Sequence, residues 1–481
     1  MAYKHGIYIS EVPTAILPPA HVESSLPVVV GTAPINMGDP TNVNKAVLVS
    51  TYAEAVSAFG FLYDFDNWTL CEAIFSHFAL YNKGPMVLIN VLDPSKAAHK
   101  TAVAAESVVM SGDSGTVANV GALLSTVVVK VSAATKVLNT DYTLAFDSTG
   151  KLVISRITTG SIAAGATLTV DYTYLKPSGV VNTDIIGGID GTSGALTGLE
   201  LINAVYPLYQ LVPGVVLAPK WSTDSTVAAI MKAKATNINS VFKAMALVDV
   251  PTGTVKKYSD VNAWKNTNNY TDPNEAVCWP KLKLGSYQFH LSTALAGVMA
   301  SVDNDNDDVP FVSPSNHSVQ SVGAVLADGT TVNLGIDTAA YMEGIGVVTA
   351  INFSGGWKAW GNRTGCYPSN TDPKDSFIPC RRMMNWIGNT LILTFFSKVD
   401  APLNRRFVDT IVDSANIWLN GLAAKGYIIA GRVEFNESEN PTTALMDGIA
   451  RFHVYVTPAT PAREIDFVLE YDPTALAALF A

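Results

Sequence analysis

Gly112-Asp113-Ser114-Gly115 is the fragment closest to an active site, since it matches the surroundings of a serine nucleophile. Acyl transfer by serine needs a histidine to take the hydroxyl proton and a carboxylate to orient that histidine. His77 falls inside a helical pattern and His99 only a short way upstream of Ser114, neither in the two-barrel context such a protease requires. The fragment therefore reads as a turn between strands, with an α/β hydrolase built on Ser114 as the different-class alternative. Asp303-Asn304-Asp305-Asn306-Asp307-Asp308 opens like a calcium loop. Glycine is missing from its sixth position, however, and proline stands where the bidentate glutamate belongs, so it reads as an exposed polar loop ahead of a strand at Val309–Val312. The 7 histidines are scattered, with no i,i+4 pair and no Cys/His cluster. There is no G-x-x-x-x-G-K-[ST], and the Gly187–Gly191 turn lacks the following helix that would give it a phosphate role. The expectation is no catalytic residue, no metal and no cofactor.

Composition narrows the classes further. Hydrophobic residues make up 48% of the 481, and charged residues only 15%. Such a chain can fill several cores and still leave apolar surface for neighbours, so two to four domains are expected, as either a self-associating subunit or a large, well-packed monomer. The formal net charge is -10, and the densest basic pairs are Lys256-Lys257, Arg381-Arg382 and Arg405-Arg406. That pattern gives no electrostatic footprint for nucleic acid. The apolar run from Trp386 to Phe396 is broken by Gly388, Asn389 and Thr390 and is too short to span a bilayer. The first ten residues lack the apolar core of a signal peptide. Of Cys71, Cys278, Cys366 and Cys380, only the last two lie near one another in sequence. Reduced thiols are the default, with a Cys366–Cys380 bond as the alternative.

The order of elements predicts a mixed α/β (α+β) multidomain chain. Residues 1–20 read as an extended arm, alternating at Tyr3, Ile7 and Ile9 before Pro13, Pro18 and Pro19. Residues 21–93 and 195–330 carry α/β patterning. Val28–Val30, Ala46–Val49 and Met86–Leu92 are buried-strand runs, and Thr51-x-x-Glu54 and Thr69-x-x-Glu72 resemble capping boxes. Between them, 94–194 reads as an inserted all-β domain, with strands at Val127–Val131, Tyr142–Phe146, Leu152–Ile154 and Leu168–Tyr174 and a hairpin turn at Asp147–Gly150. Residues 331–481 form the last unit. Within it, Asn404 caps a helix striped with Phe407, Ile411, Ala415, Trp418 and Leu422, and Gly426 ends it. Arg405 meets Asp409 at i,i+4, with Asp413 beyond. The pair is either ordinary helix support worth about 0.2–0.5 kcal/mol or a register contact across a subunit boundary. Two strands close the chain, Phe452–Val456 and Arg463–Tyr471. In the second, Ile465, Phe467, Leu469 and Tyr471 share one face, which predicts a half-buried strand.

Gly355–Thr364, with paired glycines, two tryptophans and an arginine, predicts a tight, crowded turn and a packed joint. Its Gly356-Trp357-x-x-Trp360-Gly361-x-Arg363-Thr364 pattern resembles a signature of the tail sheath proteins of contractile-tailed bacteriophages and related phage-like particles. The opening His5-Gly6-Ile7-Tyr8-Ile9-Ser10-Glu11-Val12-Pro13 and the helix start Asn404-Arg405-Arg406-Phe407-Val408 resemble the same family in kind and order. The likeness covers roughly the first 90 residues and most of the chain beyond Gly198. The β-rich insert matches in location alone.

That resemblance implies a structural subunit with no enzymatic role, assembling as stacked hexameric rings around an inner tail tube protein and contracting to drive the tube through the host envelope. It implies baseplate proteins and a tail terminator as further partners, assembly in the host cytoplasm, and a final place in the virion tail. Tyr3, Gly6, Ile7, Tyr8 and Ile9, together with Ile465, Phe467, Leu469 and Tyr471, would link subunits by strand exchange. Gly356, Trp357, Trp360, Gly361, Arg363 and Thr364 would form the family's joint. Arg405, Arg406, Asp409 and Asp413 would face the tube or a neighbouring subunit. An inner tail tube protein is the same-class alternative.

Overall fold

The structure, a computed structural model, describes residues 17–474 and 476. Its centre is an eight-stranded sheet ordered Ala46–Val49, Met86–Asn90, Pro27–Gly31, Val215–Leu217, Met245–Asp249, Glu275–Cys278, Val347–Asn352, Trp357–Trp360. Its six inner strands run parallel and the two edge strands antiparallel. Four of the inner strands are built on Val, Leu, Ile, Met and Ala runs, and all of Val28–Val30, Met86–Ile89, Val215–Leu217 and Met245–Val248 are buried. Uninterrupted apolar sequence suits strands covered on both faces. Helices Ser225–Ala235, Tyr258–Thr267, Leu291–Asn304 and Ile336–Gly344 make the crossovers.

Local signals divide into those that acted locally and those taken over by tertiary partners. Thr51 caps Tyr52–Phe59 through Glu54 N at 3.2 Å. Thr69-x-x-Glu72, by contrast, is no capping box. Thr69 Oγ1 accepts from Thr32 N at 3.1 Å, and Glu72 is buried, accepting from His290 N at 2.7 Å and Thr293 Oγ1 at 2.7 Å. Burial raises the Glu72 pKa, but the charge and hydrogen bonding of His290 outweigh it and hold the carboxyl below its ordinary value. The Val309–Val312 run is turn rather than strand. Residues Asp303–Asp308 are also not a uniform exposed loop: Asp303 ends a helix inside the protein, bonded to Arg382.

Residues 100–175 fold into two sheets of their own. One orders Lys100–Val109, Thr167–Leu175, Val128–Val131, Ala134–Thr135; the other Ser114–Val120, Lys151–Arg156, Tyr142–Phe146. Val117, Val129, Tyr142, Ile154, Leu168 and Tyr172 help form a core separate from the main one. The Asp147–Gly150 turn joins two antiparallel strands, with Phe146 opposite Leu152. At the neck, Lys176 N donates to His99 O at 2.8 Å, which holds the two ends of the excursion together.

The last unit packs helix Ile378–Phe395 against helix Arg405–Ala424 and a two-stranded antiparallel hairpin, Ile428–Glu434 with His453–Pro458. The Trp386 and Trp418 rings lie 5.7 Å apart between the helices. Asn404 Oδ1 accepts from Phe407 N at 2.9 Å, and Gly426 takes φ +78° just past the helix end, as the sequence predicts.

Candidate functional site

The signature segment is a hairpin strand ending in a buried corner. Trp357–Trp360 pairs with Val347–Asn352, Trp357 opposite Asn352 and Trp360 opposite Thr349. Gly355 and Gly356 make the turn with φ of +73° and +96°. A side chain at Gly356 would meet nothing within 4 Å, so this turn requires glycine for its backbone angle and is not crowded. The crowding lies at Gly361, φ +124°, where a Cβ would come 3.1 Å from Val347 O.

From that corner Arg363 projects between two rings, its guanidinium carbon 3.7 Å from the Phe377 centroid and 4.2 Å from that of Tyr367. Its Nη1 donates to Ser376 Oγ at 2.9 Å. Stacking of this kind suits the planar guanidinium and not an ammonium. Thr364 is buried; its hydroxyl donates to Asp375 O at 2.7 Å and its N–H to Ser376 O at 3.1 Å. Ile378 N donates to Asn362 O at 2.8 Å, so the motif fixes the entry of helix Ile378–Phe395. The motif is thus the point where the edge of the central sheet grips the last unit.

A second grip was missed by sequence reasoning. Arg382 and Asp303 are both buried, with Arg382 Nη1 3.1 Å from Asp303 Oδ1 and Nη2 bonded to the other oxygen. Ser24 Oγ donates to Asp303 Oδ2 at 2.5 Å, and Arg382 Nη2 to Ser24 O at 3.3 Å. Asn385 and Asn389, one and two turns further along the helix, bond Asn274 Oδ1 at 2.8 Å and Lys243 O at 2.8 Å. The only sequence signal was a row of polar residues, 382, 385 and 389, at helical spacing in an otherwise apolar stretch.

The carboxyl-terminal arm leaves the hairpin past Pro458 and passes Cys380, whose Sγ lies 3.7 Å from Ala459 O. Arg463 and Glu464 then line a cavity of about 280 Å³ with Glu343, Trp360, Arg363 and Tyr367. Burial raises the Glu343 pKa there and depresses that of Arg363. Beyond this root the arm is not the half-buried strand expected. Residues 463–471 form no strand, and Ile465, Phe467, Leu469 and Tyr471 are 70, 86, 96 and 74% exposed. Their alternation has no facing partner among the described residues, so no ladder forms. Tyr3, Gly6, Ile7, Tyr8 and Ile9 lie outside the described residues. Arg405 pairs with Asp409 at 2.8 Å on an exposed face, where Arg406 and Asp413 are also exposed.

The rival chemistry is not assembled. Ser114 meets Ser111 through backbone bonds, Asp113 binds Arg156 Nε at 2.7 Å, and His99 Nε2 faces Asp184 at 3.3 Å. Among the described residues no group of three His, Cys, Asp or Glu is placed to hold a metal, and all four cysteines are buried free thiols. Layered sheets joined by buried clamps, with an apolar arm held outward, make a framework in which the described residues assemble no reaction centre.

Comparison with known proteins points to a family. No family model matches the chain. The tail sheath protein of Burkholderia phage BcepMu is 27% identical over 97% of this chain and 96% of that one. Among solved structures, the PVC sheath complex of an extracellular contractile injection system, in its contracted state, superposes with TM-score 0.58 at 15% identity, covering 99% of both chains. A chain of the anti-feeding prophage baseplate in its contracted state gives 0.59 at 14% identity over 98% of both. Along its length the sequence is similar to the sheath proteins of contractile tails, and the chain shares their fold. That similarity supports a structural sheath subunit; the Ser114 hydrolase reading has no support.

Proposed function

We propose that the chain polymerises as stacked six-membered rings around an inner tail tube, and that shortening of this sheath drives the tube through the host envelope. The arms join the copies. Tyr3, Gly6, Ile7, Tyr8 and Ile9 at one end, and Ile465, Phe467, Leu469 and Tyr471 at the other, add strands to adjoining subunits. The observation that carries this reading is the exposed, alternating arm beside a hairpin, Ile428–Glu434 with His453–Pro458, whose outer edges no other described strand covers. An uncovered edge offers unpaired N–H and C=O groups, and an alternating apolar segment supplies what it lacks.

In this scheme Gly356, Trp357, Trp360, Gly361, Arg363 and Thr364 hold the root of the arm while bodies rotate. Arg405, Arg406, Asp409 and Asp413 present a charged face to the tube or to a neighbour. The units run as residues 1–20, the α/β body 21–93 and 195–330, the outward-facing insert 94–194, and the last unit 331–481. Baseplate proteins and a tail terminator bound the polymer, which is built in the host cytoplasm and works in the virion tail without gripping nucleic acid or membrane. The acidic balance of 41 Asp and Glu against 31 Lys and Arg supports the first exclusion. For the second, no helix among the described residues is long and apolar enough to cross a membrane.

Electron microscopy of the concentrated full-length protein tests the reading. Long hollow cylinders are expected, and compact particles from a chain truncated after Thr457. Cylinders from the truncated chain would remove the carboxyl-terminal arm from the linkage, and compact particles from both would remove the polymer.

A further inference from the structure

Between the two long helices of the last unit and its hairpin lies a groove of about 800 Å³. Leu391 and Phe395 from the first helix, Phe407 and Ile411 from the second, and Val433 and Val454 from the hairpin line it, with charges confined to Lys398, Asp400 and Asp447. Apolar concavities of this size on soluble proteins mark binding sites.

The end of the chain has the complementary chemistry. Asp472 Oδ1 accepts from Thr474 N at 2.9 Å with Pro473 between them, the arrangement of a helix start. Ala475 to Ala481 carries no polar side chain, and Leu476, Leu479 and Phe480 stand at i, i+3 and i+4, the spacing of one helical face. Apolar anchors at that spacing are how a helix seats in a groove.

Geometry argues for a groove in another copy. The root of the arm, at Arg463, shares a cavity with Glu343 and Arg363 beside the start of helix Ile378–Phe395, whereas the groove lies at that helix's other end. A tail returning to its own groove would lay residues 465–471 along its own body. Phe467, Val468 and Leu469 are instead 86, 91 and 96% exposed, so the arm leads away.

We propose that the groove is the socket for Leu476, Leu479 and Phe480 of a second copy of the chain. This rests on the polymer reading above and adds to it a different contact. Strand addition uses backbone bonds at a sheet edge, whereas the socket uses side-chain burial between helices. Residues 475–481 then act as a plug that fixes how far one subunit's arm reaches into the next.

Disulfide trapping on full-length protein tests it, since the four native thiols are buried. One preparation carries Leu403→Cys at the groove rim and the other Ala481→Cys. They are mixed, concentrated, imaged to establish that polymers are present, and oxidised with copper phenanthroline. A covalent dimer, seen on a non-reducing gel only in the mixture, is expected, and Phe480→Asp in the Ala481→Cys chain should lower its yield at least tenfold. Polymers without that dimer overturn the socket while leaving the polymer standing. A dimer formed instead by Ile16→Cys gives the groove to the amino-terminal arm, whose neighbour Leu17 donates its N–H to Ser414 Oγ at 3.0 Å, and likewise overturns the proposal. If the mixture forms no polymer at all, the functional reading fails and the socket falls with it.

Discussion

The joint around Arg382 and the arm beyond Arg463 are opposite solutions to the same problem. In the joint, every charged group brought out of water meets a partner inside the chain: Arg382 with Asp303, Asp303 with Ser24. In the arm, Phe467 and Leu469 keep large apolar side chains in water although the protein has cores to bury them in. A chain that pairs its buried charges in one place and leaves large apolar side chains in water in another divides its stability, on the reading proposed above, between folding and assembly. The joint is completed within one copy; on that reading, the arm is completed by another.

Breaking the joint should produce the largest loss. Arg382→Met leaves Asp303 buried without its counter-charge and should lower the unfolding free energy of the dispersed protein by about 3–5 kcal/mol, measured by urea titration. A change under 1 kcal/mol would mean that the pair does not hold the two units together. Next comes Gly361→Ala, which adds a Cβ 3.1 Å from Val347 O at φ +124°. A cost of about 1–3 kcal/mol is expected, against a smaller one for Gly356→Ala, where the space is open. Equal costs would show that the backbone angle matters and the packing against the sheet does not.

Acid should act on the folded body through Glu72. Its carboxyl is held below its ordinary value, so its contribution is fully present above the ordinary glutamate range and is lost as pH falls through the lower folded value. Thermal melts in the acid range should therefore show a decline that Glu72→Gln flattens, with little difference between the two in slope above pH 5. An unchanged acid limb in the variant would exclude Glu72 as its source. The smallest effect on the dispersed chain belongs to the arm. Phe467→Ser with Leu469→Ser should move its unfolding free energy by no more than about 0.5 kcal/mol, because exposed side chains lose no burial. The same pair of changes should abolish polymers in electron micrographs, and a stable polymer would erase the contrast with the joint.

Patterns that act within a few residues were legible in the sequence. The buried strand runs, the Asp147–Gly150 turn and the Asn404 cap all stand where the local pattern puts them, because each needs only its own neighbours. Residues that answer to distant partners were not. Glu72 had the spacing of a capping box but bonds His290, 218 positions away, and Asp303 had a polar neighbourhood but pairs with a residue 79 away. Strand Ile428–Glu434 escaped notice because Gly431 breaks it and its Ile429 faces outward. The arm is the instructive failure. Its alternation predicts a half-buried strand, but a strand exists only against another, and none is within reach in the described chain. At the signature segment, residue types disclosed a joint, while the aromatic clamp on Arg363 depended on Phe377 and Tyr367 arriving from the following turn.

The excursion between His99 and Lys176 has its own core and returns to the body on two paired strands, Lys100–Val109 and Thr167–Leu175, with Lys176 N bonded to His99 O at the neck. A module whose ends are paired side by side can be exchanged as a unit, provided the Asn36–Ala122 contact to the body is replaced. Cutting at His99 and Lys176 and splicing in a foreign small β fold with adjacent termini should give a particle coated with that fold at one copy per subunit.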